Sequence, residues 1–255
     1  MLWEVERLLD ECKELPQVLI MENVPQVIGT KNIEHFAKWQ EKLESLGYKN
    51  KWQVLNAKDF GIPQNRERCF MVSILGDYYY EFPTTMKLEK RLKDLLETEI
   101  EEKYYLSDRM VTWFENHSKE CEENGSGFRF SPVENTEVVA KAVTTRAGAR
   151  MDDNFIKQQE PVALDEQNNY IRKDGCVGTL TTDGSSPKHN NRVIENYRIR
   201  KLTPKECWRL MGFDDKDVDN ARAIGMSDAQ LYKQAGNSIV VNVLEKIFKN
   251  LLKNS

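Results

Sequence analysis

The sequence predicts an α/β fold into which a second, small, irregular and mainly β domain is inserted. Three observations carry that expectation. Strand-length apolar runs alternate with helix-period stretches over residues 1–85; residues 86–196 break into short β-prone pieces and turns; helical periodicity returns over residues 197–255. These ranges are the expected domain boundaries.

Leu2-Trp3-Glu4-Val5-Glu6-Arg7-Leu8-Leu9 has apolar residues at helical spacing from the first residue, with no capping residue before it. The chain therefore reads as opening inside an α/β unit whose earlier strands are absent. Val18-Leu19-Ile20-Met21 is a strand-length apolar run between Pro16 and Pro25, and it ends on Glu22 and Asn23. In open α/β sheets ligands gather outside the carboxyl ends of the strands, which is where Glu22 is expected. Thr30 or Asn32 can cap a helix through Ile33, Phe36, Trp39, Leu43 and Leu46, with Gly47 ending it. Residues 48–56 read as a strand, residues 59–64 as a turn-rich loop, and residues 69–74 as a buried strand entered past Arg66 and Arg68.

Beyond Phe82 the character changes. Residues 87–103 read as a charge-laced amphipathic helix and residues 120–127 as a polar loop. Short β-prone pieces follow, at 138–145, 161–164, 170–171 and 176–182, in long loops of the kind that carry recognition residues. Thr203-Pro204-Lys205-Glu206 combines a cap, a first-turn proline and a glutamate three residues after the cap, so a helix is expected through Met211 to Gly212. Gly236-Asn237-Ser238 is expected to open the last helix, through Ile239, Val243, Ile247 and Leu251.

With 255 residues, 40% hydrophobic and 31% charged, the chain can bury one good core and a smaller one. A net charge of -4 argues against a surface coated in positive charge, yet permits a local basic face. The five cysteines form no C-x-x-C pair and no cluster with the three histidines, so neither a zinc site nor a disulfide framework is expected. Cys69 and Cys207 are expected to be buried and reduced. No signal peptide or transmembrane run is legible, and the expectation is a cytoplasmic protein without membrane contact.

Four blocks carry the chemistry: Glu22-Asn23-Val24; Gln64-Asn65-Arg66-Glu67-Arg68; residues 200–213, with Leu202-Thr203-Pro204-Lys205-Glu206 and Leu210-Met211-Gly212-Phe213; and Gln234-Ala235-Gly236-Asn237-Ser238. Taken singly they fit a solvated strand-end acid, a surface ion-pair cluster around Glu67 and an ordinary helix cap. In content, order and spacing they resemble the C-terminal half of the DNA (cytosine-5) methyltransferase family. The resemblance implies a partial Rossmann-like S-adenosylmethionine-dependent domain, with the variable middle serving as a target recognition domain.

The same resemblance implies roles. Glu22 is the acid at N3 and the exocyclic amine of cytosine, and Arg68, with Arg66 beside it, is the cation near O2. Proton transfer of this kind benefits from a desolvated pocket. Gly236, Asn237 and Ser238 contact S-adenosyl-L-methionine, whose carboxylate suits a helix N-terminus. Double-stranded DNA is the expected partner, with the target cytosine flipped out of the stack. Gln64, Arg146, Arg150, Thr179 and Thr181 are candidate DNA contacts. So are Arg192, Arg200 and Lys201, from the basic stretch between Lys188 and Lys205, which equally suits a solvated surface run.

Two parts of the family pattern are missing. The sequence has no Gly-rich loop after a strand and no Pro-Cys dipeptide bearing a nucleophile. The cofactor pocket is thus expected to be incomplete, and the nucleophile to come from a partner chain or a missing N-terminal segment. Three readings follow: one part of a split enzyme, inactive alone; a DNA-recognition or regulatory remnant; or a truncated frame.

Overall fold

The computed structural model describes residues 2–165, 170–172 and 191–253, with side chains for residues 3–159 and 197–253. In chain order its elements are α1 (Leu2–Glu11), β1 (Val18–Asn23), α2 (Ile33–Ser45), β2 (Tyr48–Asn56), β3 (Gln64–Asn65), β4 (Glu67–Leu75), α3 (Asp108–Glu123), β5 (Ala140–Lys141), β6 (Phe155–Asp165), β7 (Tyr170–Arg172), β8 (Asn191–Lys201), α4 (Pro204–Leu210), α5 (Asp215–Ala223), α6 (Asp228–Asn237) and α7 (Val241–Lys253). No helix among the described residues is long and apolar enough to cross a membrane.

The chain divides into two compact units. The first comprises residues 1–96, 137–146 and 204–255, and the second residues 97–136 and 147–203. The boundaries thus differ from 86–196: residues 86–96 and 137–146 belong with the first unit, to which β3 and β5 tie the latter by parallel pairing.

In the first unit, β4 lies between β1 and β2 and runs antiparallel to both. The register sets Glu22 opposite Phe70 and Leu55 opposite Arg68, which brings Glu22 and Arg68 to one end of the sheet. Side chains alternate between the faces of a strand. One face buries Tyr48 and Met71 against Leu9, Phe36, Trp39 and Leu43 of α1 and α2. Each such large apolar side chain contributes about 1.5–3 kcal/mol when fully buried. Over the other face, Ile239, Val240 and Val243 stand with Glu22 and Phe70, and Leu251 with Val18 and Ile74. That face therefore carries α7 along its length.

The expected strands at 18–21, 48–56 and 69–74 are present. Helix α2 ends near Gly47, whose φ of 93° is open to glycine at little cost. Neither expected cap bond forms at its start, because Asn32 Nδ2 instead donates to the Gln26 carbonyl at 2.8 Å.

Residues 87–103 are not an α-helix. They form two short 3-10 turns, Leu92–Leu95 and Glu102–Tyr104. Leu92 and Leu95 are both buried, and the Leu92 N–H donates to the Val138 carbonyl, so tertiary contacts overrode helical propensity. Residues 120–123, expected in a loop, complete α3, which Ser107 caps. The second unit packs Phe114 of α3 against Phe130 and Phe155, with ring centroids 4.9 and 5.6 Å away. Its sheet has the order β7-β6-β8, all antiparallel.

Helix α4 starts at Pro204 as expected, and Gly212 follows it with a φ of 85°. The sequence reading missed α5, which buries only Val218, and α6, although Ser227 and Gln230 form a capping box legible from their spacing.

Candidate active site

Glu22 closes β1 and Arg68 lies near the start of β4, and the antiparallel register brings their side chains together. Glu22 Oε1 is 2.9 Å from Arg68 Nε, and both side chains are about four-fifths buried, being 19% and 20% exposed. The contact is an ion pair without the alignment of a hydrogen bond, so the carboxylate keeps acceptor capacity. Arg68 also donates from Nη1 to the Glu67 carbonyl at 2.7 Å. Glu22, Arg66 and Arg68 line a cavity of about 10 Å³ with Leu55, Ala57, Phe70, Ile239, Val240 and Val243. The sequence reading missed Ile239, Val240 and Val243 as site residues, although the first two follow Ser238 directly and Val243 lies in the first turn of α7. The result is an acid and a cation on an apolar floor.

Arg66 lines the cavity but its guanidinium is engaged elsewhere. It is 5% exposed and donates to the carbonyls of Val143 (3.0 Å), Gly236 (3.0 Å) and Ser238 (3.1 Å). Burial, assisted by neighbouring Arg68 and opposed by Glu22, lowers its pKa to about 10. Arg66, expected beside Arg68 as a catalytic cation, stands in the structure as a clamp between residue 143 and residues 236–238.

Gln64 is corrected in the same sense. It is wholly buried; its Nε2 donates to the Leu210 carbonyl at 2.6 Å and its Oε1 accepts from the Val143 N–H at 2.9 Å. Such a side chain cannot reach DNA without unfolding its surroundings. The same pairing anchors residues 137–146 to the first unit.

Gly236-Asn237-Ser238 does not open a helix. Gly236 and Asn237 end α6, and Ser238 closes it with φ −75° and ψ 160°; its N–H donates to the Gln234 carbonyl at 2.9 Å and its Oγ to the Ala235 carbonyl at 3.0 Å. The expected array of free N–H groups is thus absent at these three residues, and the exposed amide of Asn237 is the group they present. Gly236 is needed for close approach: a Cβ there would lie 2.3 Å from the Thr145 nitrogen and 2.5 Å from the Thr144 carbonyl carbon. Those atoms are backbone and cannot rotate away. Gly236→Ala is therefore expected to destabilise the chain by about 1–3 kcal/mol, read as a lowered urea midpoint; an unchanged midpoint would show that this approach is slack.

The other expected DNA contacts are scattered. Arg146 is exposed. Arg150 is exposed, 3.0 Å from Asp152 and stacked 4.7 Å from the Phe128 ring. Arg200 is 2% exposed and donates to the Lys201 carbonyl, so it is corrected to a buried residue. Lys201 is half-buried with its ammonium 5.8 Å from the Tyr104 ring. Thr179, Thr181 and Lys188 lie outside the described residues, as does the side chain of Arg192. Among the described residues the basic stretch does not form one continuous face. Strand alternation turns Arg198 and Arg200 to the side opposite Lys201, and Lys205 pairs with Asp219 at 2.9 Å.

Among the described residues no cysteine lines the Glu22 cavity. Cys69 adjoins Arg68 in sequence but projects to the other face of β4; it is wholly buried, and burial pushes its thiol up to about 11. Cys207 is also buried, whereas Cys12 is exposed. A thiol reagent is expected to label Cys12 in the folded chain at neutral pH and to reach Cys69 and Cys207 only on unfolding; rapid labelling of Cys69 would contradict its burial.

A sheet whose central antiparallel strand separates two parallel ones, with helices on both faces and an acid at a strand end, defines an α/β architecture. Solved structures bear this out at the level of fold. The Dnmt2 methyltransferase of S. pombe matches with a TM-score of 0.67 and 18% identity, over 98% of this chain and 72% of that one. The Entamoeba histolytica methyltransferase EhMeth matches at 0.66 and 17%, over 99% and 68%. Residues 1–253 match the family model of the C-5 cytosine-specific DNA methylases, and the chain belongs to that family.

Among its relatives, type II methyltransferase M2.ScrFI of Lactococcus lactis subsp. cremoris is 36% identical across 100% of this chain and 59% of its own length. Type II methyltransferase M.Bsp6I of a Bacillus species is 32% identical over 94% of this chain and 66% of its own length. The orphan methyltransferase M.SssI of Spiroplasma monobiae is 31% identical over 98% and 58%. The chain thus spans less than two thirds of each of these curated relatives.

Proposed function

We propose that this chain is the cytosine-activating part of a DNA (cytosine-5) methyltransferase, working with a thiolate and a Gly-rich cofactor loop carried by polypeptide outside residues 1–255. The observation that carries the reading is the Glu22–Arg68 pair, an acid and a cation 2.9 Å apart on an apolar floor. C5 of cytosine is not nucleophilic. Adding a thiolate to C6 makes it so, provided negative charge developing on the ring is met.

Glu22 meets it by holding a proton at N3 and accepting from the exocyclic amine, and Arg68 by donating toward O2. The base enters between the two side chains, exchanging their mutual contact for contacts to its own edge. Partial burial strengthens both, because fewer waters screen them. Arg66 acts one step back: by gripping the carbonyls of Val143, Gly236 and Ser238 it sets where Asn237 and residues 144–145 stand. S-adenosylmethionine, when bound, supplies an electrophilic methyl group. Asn237 is the residue here that would hold it, through its exposed amide. Double-stranded DNA is the substrate, the target cytosine is turned out of the stack, and the second unit reads the flanking sequence with Arg150 among its contacts, while Arg146 contacts DNA from the first unit.

Reconstitution tests this. The purified chain with S-adenosylmethionine and duplex DNA is expected to form no 5-methylcytosine. Co-expression with a segment bearing a Gly-rich loop and a Pro-Cys is expected to restore methylation, and Glu22→Ala to remove it again. Methylation by the chain alone, or restored methylation indifferent to Glu22→Ala, overturns the proposal.

A further inference from the structure

Arg150 stands on a short loop of the second unit whose backbone is fixed by a buried acid. Asp153 is 5% exposed, and its Oδ2 accepts from three successive N–H groups: Gly148 at 2.9 Å, Ala149 at 3.1 Å and Arg150 at 2.9 Å. The Asp153 N–H donates back to the Arg150 carbonyl at 3.1 Å. Hydrogen bonds to a carboxylate are charge-assisted and stronger than neutral ones, so the turn is set before any ligand arrives. Gly148 completes it with a φ of 83° and a close approach to Lys201: a Cβ there would lie 2.6 Å from both Cβ and Cδ of Lys201.

The side chain is held as firmly as the loop. Arg150 Nη2 donates to Asp152 Oδ2 at 3.1 Å, and Nε lies 3.0 Å from Asp152 Oδ1. The guanidinium carbon sits 4.7 Å from the centre of the Phe128 ring. Asp152 thus occupies the Nε side of the guanidinium and Phe128 covers one face. Nη1 has no partner among the described residues, and the Arg150 side chain is 48% exposed. What remains open is the end of the guanidinium, where Nη1 and the second N–H of Nη2 lie side by side in one plane.

Two parallel donors match two adjacent acceptors. In the major groove guanine alone presents such a pair, at O6 and N7; adenine offers an acceptor beside a donor, thymine a single acceptor and cytosine a donor. A phosphate suits the arrangement less well, because the Asp152 carboxylate offsets the charge of the guanidinium and repels a second anion. Two neutral acceptors require direction more than net charge, and direction is what Asp152, Phe128 and the Asp153 turn supply. We infer that Arg150 reads a guanine of the target sequence through Nη1 and Nη2, with Asp152, Asp153 and Phe128 as positioning residues. The inference rests on the reading proposed above in taking duplex DNA as the ligand, but base preference is measured without methyl transfer.

The test is selection of duplexes from a randomised pool by the full chain, followed by sequencing of the bound fraction. One position is expected to carry guanine about 10–100-fold above the other bases. Arg150→Ala and Arg150→Lys are both expected to abolish that preference while leaving the other positions as they were, since lysine keeps the charge but not the planar pair of donors. Putting 7-deazaguanine, which lacks the N7 acceptor, at that position is expected to weaken binding of the unaltered chain about tenfold and that of Arg150→Ala not at all. Phe128→Leu, at an exposed ring, and Asp153→Asn are expected to lower the preference severalfold at this position alone. The absence of a guanine-enriched position, a preference retained by Arg150→Ala or Arg150→Lys, or a uniform weakening across all sequences with a shallower salt dependence, as loss of a phosphate contact gives, overturns the inference. Failed methylation on reconstitution with the guanine preference intact overturns the catalytic reading alone, and restored methylation without that preference overturns this inference alone.

Discussion

Glu22→Gln in the reconstituted enzyme is expected to lower methyl transfer by about 10²–10⁴-fold, the usual worth of a positioned proton donor. Glutamine keeps the size and one acceptor of the glutamate, so it can still stand 2.9 Å from Arg68 and leave the apolar floor intact. What it cannot do is deliver a proton to N3 and take it back. Duplex DNA binding and the urea midpoint should therefore stay close to those of the unaltered chain while the initial rate of label transfer from S-adenosylmethionine collapses. A variant that methylates at the unaltered rate would show that Glu22 is a bystander at the rim of the sheet.

The second large effect is at Arg66, and it separates two arginines that the sequence presents as a pair. Arg66→Lys is expected to destabilise the fold by about 3 kcal/mol in urea denaturation, because a lysine cannot satisfy three carbonyls that Arg66 joins from two sides. Arg68→Lys is expected to cost at most about 1 kcal/mol, since it weakens a partly exposed ion pair. In the reconstituted enzyme the order reverses at the level of chemistry: Arg68→Lys slows turnover at saturating DNA with no more than that small change in the melt. Equal destabilisation by the two substitutions would remove the distinction between clamp and cation.

The two arginines show how far residue patterns carry. Their spacing, i and i+2 on a strand, puts them on one side of the chain, and both reach the Glu22 cavity as that spacing demands. Which of them stays available was decided by Val143, Gly236 and Ser238, residues up to 172 positions away in sequence. Gln64 is a like case: an amide before a buried strand reads as a surface contact until Leu210 and Val143 close over it. Gly236-Asn237-Ser238 was misread because a glycine and an asparagine suit either end of a helix, and the preceding Ser227–Gln230 capping box, which assigns them to the far end of α6, lies nine residues upstream of Gly236.

Residues 87–103 failed for a related reason. Their charges and leucines have helical periodicity, yet Leu92 and Leu95 gain more from burial beside Val138 than α-helical hydrogen bonding would return. The basic stretch before α4 failed through strand alternation, which a count of charges ignores and which buries Arg200 while leaving Lys201 half exposed.

By itself the sequence determined the three principal strands, the helices α2 and α4, the strand-end position of Glu22 and the family, because each rests on local periodicity, capping chemistry or short motifs that tertiary contacts did not override. Only the tertiary structure decided that β4 enters between β1 and β2, that Arg68 and not Arg66 faces Glu22 with a free role, and that Gly236 is a point of close backbone approach. Those are properties of register and of contacts between segments distant in sequence, and no local pattern encodes which distant carbonyl a buried guanidinium will find.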